Sequence, residues 1–193
     1  MLTAKYKDTN EELDITKYDN PREQIDKQRL CCKFCSQKVS IKDGMFRAKH
    51  FFHINNCTSD YEIHPESPQH NLGKEIIAKH LKLYWKEYAN TEIRFEYPIQ
   101  EMKRIIDIAM IFPSGWIVAH ELQLAPITVE HLEKRTNDYR ELGIDTFWWF
   151  GKSADTKTNR EWAIEKFGQS LSIDYQLLDA KVKDIQKGKE IKF

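Results

Sequence analysis

The chain has 193 residues, 40% of them hydrophobic and with ten Phe and five Trp among them, enough apolar material for one ordinary domain plus a small appendage. Lys plus Arg and Asp plus Glu both number 30, which excludes the global positive field of a sequence-independent nucleic-acid binder; any basic surface has to be local. No apolar run is long enough for a signal peptide or a membrane span, so the expectation is a cytoplasmic protein without a membrane partner.

Taken in order, residues 1–30 are polar with little sustained period and read as an arm with room for a strand or two. Residues 31–64 open on Cys32-x-x-Cys35, continue through Val39 and Ile41 to an Asp43-Gly44 turn signal followed by Met45 and Phe46, and reach His50-Phe51-Phe52-His53 before Cys57. This predicts a hairpin between two ligand pairs. A junction from Ser59 to Pro65 leads to Ser67-Pro68, an N-cap serine followed by a proline at the first helical position, and a helix to about Tyr88. Strand-like runs follow at Ile93 to Ile99, Arg104 to Phe112 and Trp116 to Gln123, the last two joined by Pro113-Ser114-Gly115. Thr128 caps a second predicted helix ending at Gly143, and Ile144 to Phe150 reads as a buried strand. The expected core, residues 65–152, is therefore an α/β (α+β) unit in the order α-β-β-β-α-β. Residues 153–193 form a C-terminal extension with a helix near Asn159 to Phe167, a strand near Leu171 to Leu178 and a basic tail from Lys181 to Lys192.

One acid lies in the otherwise apolar run Arg104-Ile105-Ile106-Asp107-Ile108-Ala109-Met110-Ile111, and an ionised carboxylate in such surroundings is costly unless paired or metal-bound. The period of two puts Glu121 and Gln123 on one face near the end of the next strand, and a hairpin brings Asp107 close to Glu121. Two converging carboxylates are hard oxygen ligands for Mg²⁺ or Mn²⁺, which activate water and neutralise charge developing on a phosphodiester. On the first helix His70, Lys74, Ile77, Leu81, Tyr84 and Tyr88 define one face, directing His70 and Lys74 inward; Leu72, Ile76 and Leu83 form a second stripe, positioned to receive the metal module. On the second helix Leu132, Arg135, Tyr139 and Leu142 share a face, so an Arg inside a core stripe either pairs with a carboxylate or meets a phosphate.

Three of the four cysteines fall within five residues, a pattern that points to Zn²⁺ more than to a disulfide framework. Cys32, Cys35, His53 and Cys57 are the chosen ligands, with His50 the alternative to His53 and Cys31 a spare thiol. Four protein ligands leave no open position for substrate, so that zinc is expected to be structural.

The order and spacing of Cys32-x-x-Cys35, His50-Phe51-Phe52-His53, Glu66-Ser67-Pro68-Gln69-His70-x-x-x-Lys74, Arg104-Ile105-Ile106-Asp107, Glu121-Leu122-Gln123, Arg135-x-x-x-Tyr139 and Trp148-Trp149 resemble the competence protein CoiA family, whose nuclease domain is of the PD-(D/E)xK, restriction-endonuclease-like type. The resemblance implies that Asp107 and Glu121 bind the divalent metal, that Gln123 stands where the superfamily has a lysine, and that Arg135 with Tyr139 corresponds to a helix motif beside the site. Gln123 is a departure, because a neutral amide orients water but supplies no cation. Lys74 is the candidate to replace that charge, ahead of Lys103 and Arg104, and Glu66 the candidate third carboxylate. The expected function is metal-dependent hydrolysis of DNA, single- or double-stranded, in uptake, recombination, repair or defence. A scaffold that binds DNA or assists a recombination protein without cutting is the alternative. A second copy of the chain or a recombination protein is the protein partner left open, and a purely structural zinc protein ranks last.

Overall fold

The structure is a computed structural model that describes residues 1–44, 47–61 and 66–186. Met45, Phe46, the end of the predicted junction at Pro65 and the basic tail beyond Gln186 lie outside the described residues. The chain divides into two compact units, Met1–Leu72 with Pro98–Ile105 and Asp179–Phe193, and Gly73–Tyr97 with Ile106–Leu178.

In the first unit the opening thirty residues are not a polar arm. Strands β1 (Thr3–Tyr6), β2 (Glu12–Asp14) and β3 (Leu30–Cys31) form a sheet in the order β2-β1-β3, with the single-turn helix α1 (Pro21–Gln24) before β3. Leu2, Ala4, Leu13, Ile15, Ile25 and Leu30 are all buried there. The alternation that marks them runs for only two apolar residues at a time between charged neighbours, too short to register as a period. The predicted hairpin is present as β4 (Val39–Gly44) paired antiparallel with β5 (Arg47–His53), Val39 opposite His53 and Ile41 opposite Phe51.

A five-stranded sheet in the order β10-β9-β8-β7-β6 is formed by β6 (Glu92–Ile99), β7 (Arg104–Ile111), β8 (Ile117–Gln123), β9 (Asp145–Phe150) and β10 (Leu171–Ser172), with all but Pro98, Ile99, Arg104 and Ile105 in the second unit. β7 and β8 pair antiparallel across the turn in which Gly115 takes φ +85°, and β8 and β9 pair in parallel across α3 (Val129–Glu141). Helix α2 (Pro68–Tyr84) starts at the expected cap, where the Ser67 hydroxyl accepts from His70 N–H at 3.1 Å. Thr128 caps α3 in the same way, by accepting from His131 N–H, and Gly143 follows that helix at φ +70°. Leu132 of α3 packs with Trp148, Phe150, Ala154, Trp162 and Ala163, and this cluster fixes the helix against β9 and α4 (Lys157–Phe167).

Three expectations are corrected. Leu171 to Leu178 is not one strand: two residues pair with β9, after which Asp174 accepts from Leu177 N–H at 3.0 Å and starts α5 (Tyr175–Gln186). The first helix ends at Tyr84, and Tyr88 is buried in a separate 3-10 turn. Tyr84 and Leu83 are 71% and 75% exposed, so neither predicted stripe stays buried to the end of that helix, although Leu81 is fully buried.

Candidate functional site

Between β7 and β8 the backbone register runs from Ile111 opposite Ile117 to Ile108 opposite His120. One more step would set Asp107 against Glu121. At that step the Asp107 side chain takes over from the strand: its Oδ2 accepts Leu122 N–H at 2.9 Å. β8 meanwhile stays paired to β9 as far as Gln123 opposite Phe150. The two acids thus stand where β7 and β8 part, on a strand end braced from the other side.

Glu121 is 1% exposed and held at both oxygens. Tyr139 donates its hydroxyl to Oε1 at 2.8 Å, and Arg135 approaches Oε2 at 3.1 Å while donating from Nε to the Tyr139 oxygen at 3.2 Å. Arg135 therefore realises the carboxylate-pairing branch of the sequence expectation. Burial opposes its charge, but attraction to Glu121, with Tyr139 and Asp107 beside it, outweighs that and holds the guanidinium above its usual pKa. Burial and the Glu121 carboxylate push the Tyr139 phenol well above its ordinary value, so it stays a proton donor to Glu121. Behind them the Arg135 guanidinium lies 5.8 Å from the Trp148 ring centre, and Trp148 is tied to Thr136 by a 3.0 Å bond from its indole N–H.

Gln123 is partly buried and donates from Nε2 to Ala125 O at 2.9 Å, which leaves its amide oxygen as the face offered to a water or ligand. Lys74 points inward as predicted and is completely buried. Its Nζ is bound to Glu96 Oε1 at 2.9 Å, and Glu96 is itself 3% exposed. The close approach of α2 to β8 depends on Gly73, where an added Cβ would come within 2.5 Å of Leu122 Cδ2.

His70 sits in the first turn of α2, with Nδ1 3.4 Å from Glu66 Oε1, and the Met1 ammonium is 3.5 Å from Glu66 Oε2. Arg104 is the first residue of β7 and belongs with the first unit. Two residues with structural weight were missed. Glu96 stood in a predicted strand without a role, and its φ of +53° interrupts the alternation that would have flagged it as buried. His120, fully buried, takes the Trp149 indole N–H on Nδ1 at 3.1 Å and meets the Tyr88 hydroxyl through Nε2 at 3.0 Å. An imidazole between Ala119 and Glu121 in a strand was its only signal.

In the first unit Cys32, Cys35, His53 and Cys57 converge, each offering one ligand atom, all within 4.8 Å of one another. A tetrahedral Zn²⁺ with thiolates at about 2.3 Å requires sulfurs about 3.8 Å apart, so the set fits zinc. The knuckle has the right backbone: Ser36 takes φ +58°, Ser36 N–H donates to Cys32 O at 2.9 Å, and Phe34 N–H points at Cys32 Sγ at 3.4 Å. Burial pushes the Cys32 thiol up to about 12. At Cys35 the same burial is overcome by N–H groups of Gln37 and Thr58 and by neighbouring thiols, and its pKa falls. Burial also lowers the His53 pKa and keeps its imidazole neutral, the form that binds metal. His50, the alternative ligand, lies three residues away on the same strand and faces the opposite side, because the strand period is two. Cys31 is buried in β3 outside the cluster.

The donor set at the fork suits a hard cation differently. Asp107 and Glu121 are the oxygen ligands such an ion prefers, but both Glu121 oxygens already take hydrogen bonds. Among the described residues Glu121 joins no cluster of three or more ligand side chains.

An Asp and a Glu thus stand where two central strands part, with the Glu held from the helix of a β-α-β unit, in a chain of the mixed α/β class. Residues 66–180 match the family described as competence protein CoiA, nuclease-like domain, and the chain belongs to that family. It is 27% identical over 159 residues to competence protein CoiA of Bacillus subtilis (strain 168), an alignment that covers 82% of this chain and 39% of that protein. The chain thus spans about two fifths of the length of that relative. A repair endonuclease from Pyrococcus abyssi aligns with 57% of this chain and 49% of its own at 18% identity and a TM-score of 0.31. No helix among the described residues is long and apolar enough to cross a membrane.

Proposed function

We propose that the chain is a metal-dependent nuclease that hydrolyses DNA phosphodiester bonds at the fork between β7 and β8. The observation that carries this reading is the pair Asp107 and Glu121 at the point where the strands part, each fixed by a hydrogen bond from its own unit. Asp107 and Glu121 would hold Mg²⁺ or Mn²⁺, which when bound supplies a Lewis acid for the phosphodiester and lowers the pKa of water. Arg135 and Tyr139 fix the Glu121 carboxylate, and the Arg135 charge offsets the repulsion that two acids exert on a phosphate. Gln123 orients the attacking water through its amide oxygen. Lys74 is assigned the supporting cation and His70 and Glu66 supporting roles, each entered in the same assay as a single substitution. Cys32, Cys35, His53 and Cys57 hold a structural Zn²⁺.

A second reading, a DNA-binding scaffold without catalysis, is favoured by the saturated Glu121 and by an amide at Gln123. Cleavage of linear, circular and single-stranded DNA, with Mg²⁺, with Mn²⁺ and with neither, separates the two. Asp107→Asn keeps an acceptor for Leu122 N–H while losing the charge. Metal-dependent cutting that this variant lacks, with its unfolding transition intact, supports the enzyme. Binding without cutting in every condition overturns it in favour of the scaffold.

A further inference from the structure

The cavity at the other end of β8 has no part in the fork chemistry. It encloses about 960 Å³ and lies entirely within the second unit, with Val118 of β8 and Asp145 to Phe147 of β9 in its wall. Glu121 is three residues along β8 from Val118, roughly 10 Å at about 3.3 Å per residue, and Asp107 is five residues before Phe112, so the acids stand further along the strands than the cavity. Its walls are aromatic. Phe112 and Trp116 stack at 4.5 Å and 30°, Trp116 is 45% exposed, and Trp85 meets Phe147 edge-on at 6.3 Å. Charges of both signs stand among these rings: Arg140 and Lys166, and Glu87 and Asp145. Lys166 is 3.9 Å from Glu133, whereas Arg140, Glu87 and Asp145 make no ion pair among the described residues. The hydroxyl of Thr146, a residue 5% exposed in the same wall, has no hydrogen-bond partner.

We propose that this cavity is a nucleobase pocket that captures an unpaired nucleotide of a nucleic-acid strand. Flat aromatic faces with one exposed indole are what a base stacks on without regard to its identity. Carboxylates beside them accept from exocyclic amino groups, and Arg140 and Lys166 at the rim meet the flanking phosphates. A purely apolar partner segment would leave Arg140, Glu87 and Asp145 unanswered, whereas a nucleotide carries a complement for each. The inference deepens the nuclease reading by adding a second anchor for the strand, and its test does not depend on cutting.

The probe is a ten-nucleotide single-stranded oligodeoxyadenylate bearing a 5′ fluorophore, followed by anisotropy without added Mg²⁺ or Mn²⁺. The competitors are an abasic strand of equal length, a blunt duplex and AMP. The expected result is saturable binding that weakens about tenfold or more in Trp116→Ala and in Arg140→Glu, with the abasic strand and the duplex both poor competitors. Both substituted side chains are exposed, so unfolding midpoints should match the parent chain. Equal competition by the abasic strand, or unchanged binding in both variants, overturns the pocket. AMP competing at the same concentration as the strand would make a free nucleotide the ligand and overturn strand capture. Asp107→Asn that loses cleavage but binds the probe as before leaves the pocket standing. Failure of the parent chain to cut in any metal condition, with probe binding intact, refutes the nuclease reading alone.

Discussion

Removing the Lys74 ammonium should unfold much of what the second unit's stability amounts to, and removing its partner as well should restore most of it. Lys74 Nζ and Glu96 Oε1 are 2.9 Å apart with side-chain exposures of 0% and 4%. At an effective dielectric of about 20 the attraction is roughly 6 kcal/mol, but desolvating both ions offsets most of it. Lys74→Met keeps the length of the stem and leaves the Glu96 carboxylate without that cation, at an expected loss of about 3–5 kcal/mol; Glu96→Gln removes the carboxylate charge beside the ammonium, at a similar loss. The double variant removes both charges and should lie within about 1.5 kcal/mol of the parent, a coupling of several kcal/mol. Gln at position 96 shares whatever strain φ +53° imposes on Glu, so backbone cost cancels. Urea denaturation reads all four corners of the cycle, with the slope unchanged if only stability has moved. Losses that simply add in the double variant would refute the pairing argument. The same proteins separate structure from chemistry: a double variant that regains stability but not turnover marks Lys74 as the working cation, and one that regains both marks it as structural.

Tyr139→Phe removes the hydrogen bond on Glu121 Oε1 and should lower both stability, by about 1.5–3 kcal/mol, and turnover, by roughly tenfold, read by denaturation and steady-state cleavage. Burial holds the His120 pKa near 3, so the folded chain resists the proton that the unfolded chain takes up below about 6.5. Its contribution is present above pH 6.5 and lost as pH falls. Relative to His120→Gln the parent should therefore lose about 2 kcal/mol between pH 7.5 and 5 without added Mg²⁺; a difference that stays flat would contradict it. Zinc should be found at one equivalent per chain, and its removal by a strong chelator should lower the first unit's melting temperature by roughly 10 °C or more, with Cys32→Ser behaving likewise in the presence of zinc. Gln123→Lys restores the cation that the resemblance leads one to expect and should raise metal-dependent cleavage; a fall would show that the site uses the amide oxygen.

What could be read from the sequence follows what is local. Ser67, Thr128, Gly115 and Gly143 each act through hydrogen bonds or dihedrals within a few residues, and all four mark the boundaries expected of them. The apolar run of β7 with one acid, and the Arg in the α3 stripe, were visible because each broke a pattern. Glu96 was hidden for the opposite reason: its backbone sits at positive φ, so an alternation drawn through an ideal strand assigns it to the wrong side. The fold of the first thirty residues was hidden because pairs such as Leu13 and Ile15 acquire their meaning only from long-range pairing, Ala4 opposite Leu13 and Lys5 opposite Cys31. The choice of His53 over His50 needed the hairpin register, which spacing between Cys35 and Cys57 does not contain.

The arrangement at the fork also bears on why an acid pair there need not repel its substrate. Asp107 and Glu121 carry two negative charges, and Arg135, lodged against one of them, brings the local sum to minus one. That lowers the attraction for a divalent cation compared with two unpaired acids, and it lowers the barrier to a phosphodiester by the same physics. The Arg135 side chain is 20% exposed and that of Glu121 2%, so the arginine is the more accessible member of the pair. A phosphate arriving from solvent meets the cation before the acid. An Arg that shifts part of its hydrogen bonding from Glu121 to a phosphate oxygen would release carboxylate lone pairs at the moment the substrate is in place. On the proposed reading, occupancy of Glu121 by Arg135 is a resting state set by charge balance, and substrate binding itself is what makes the second ligand available.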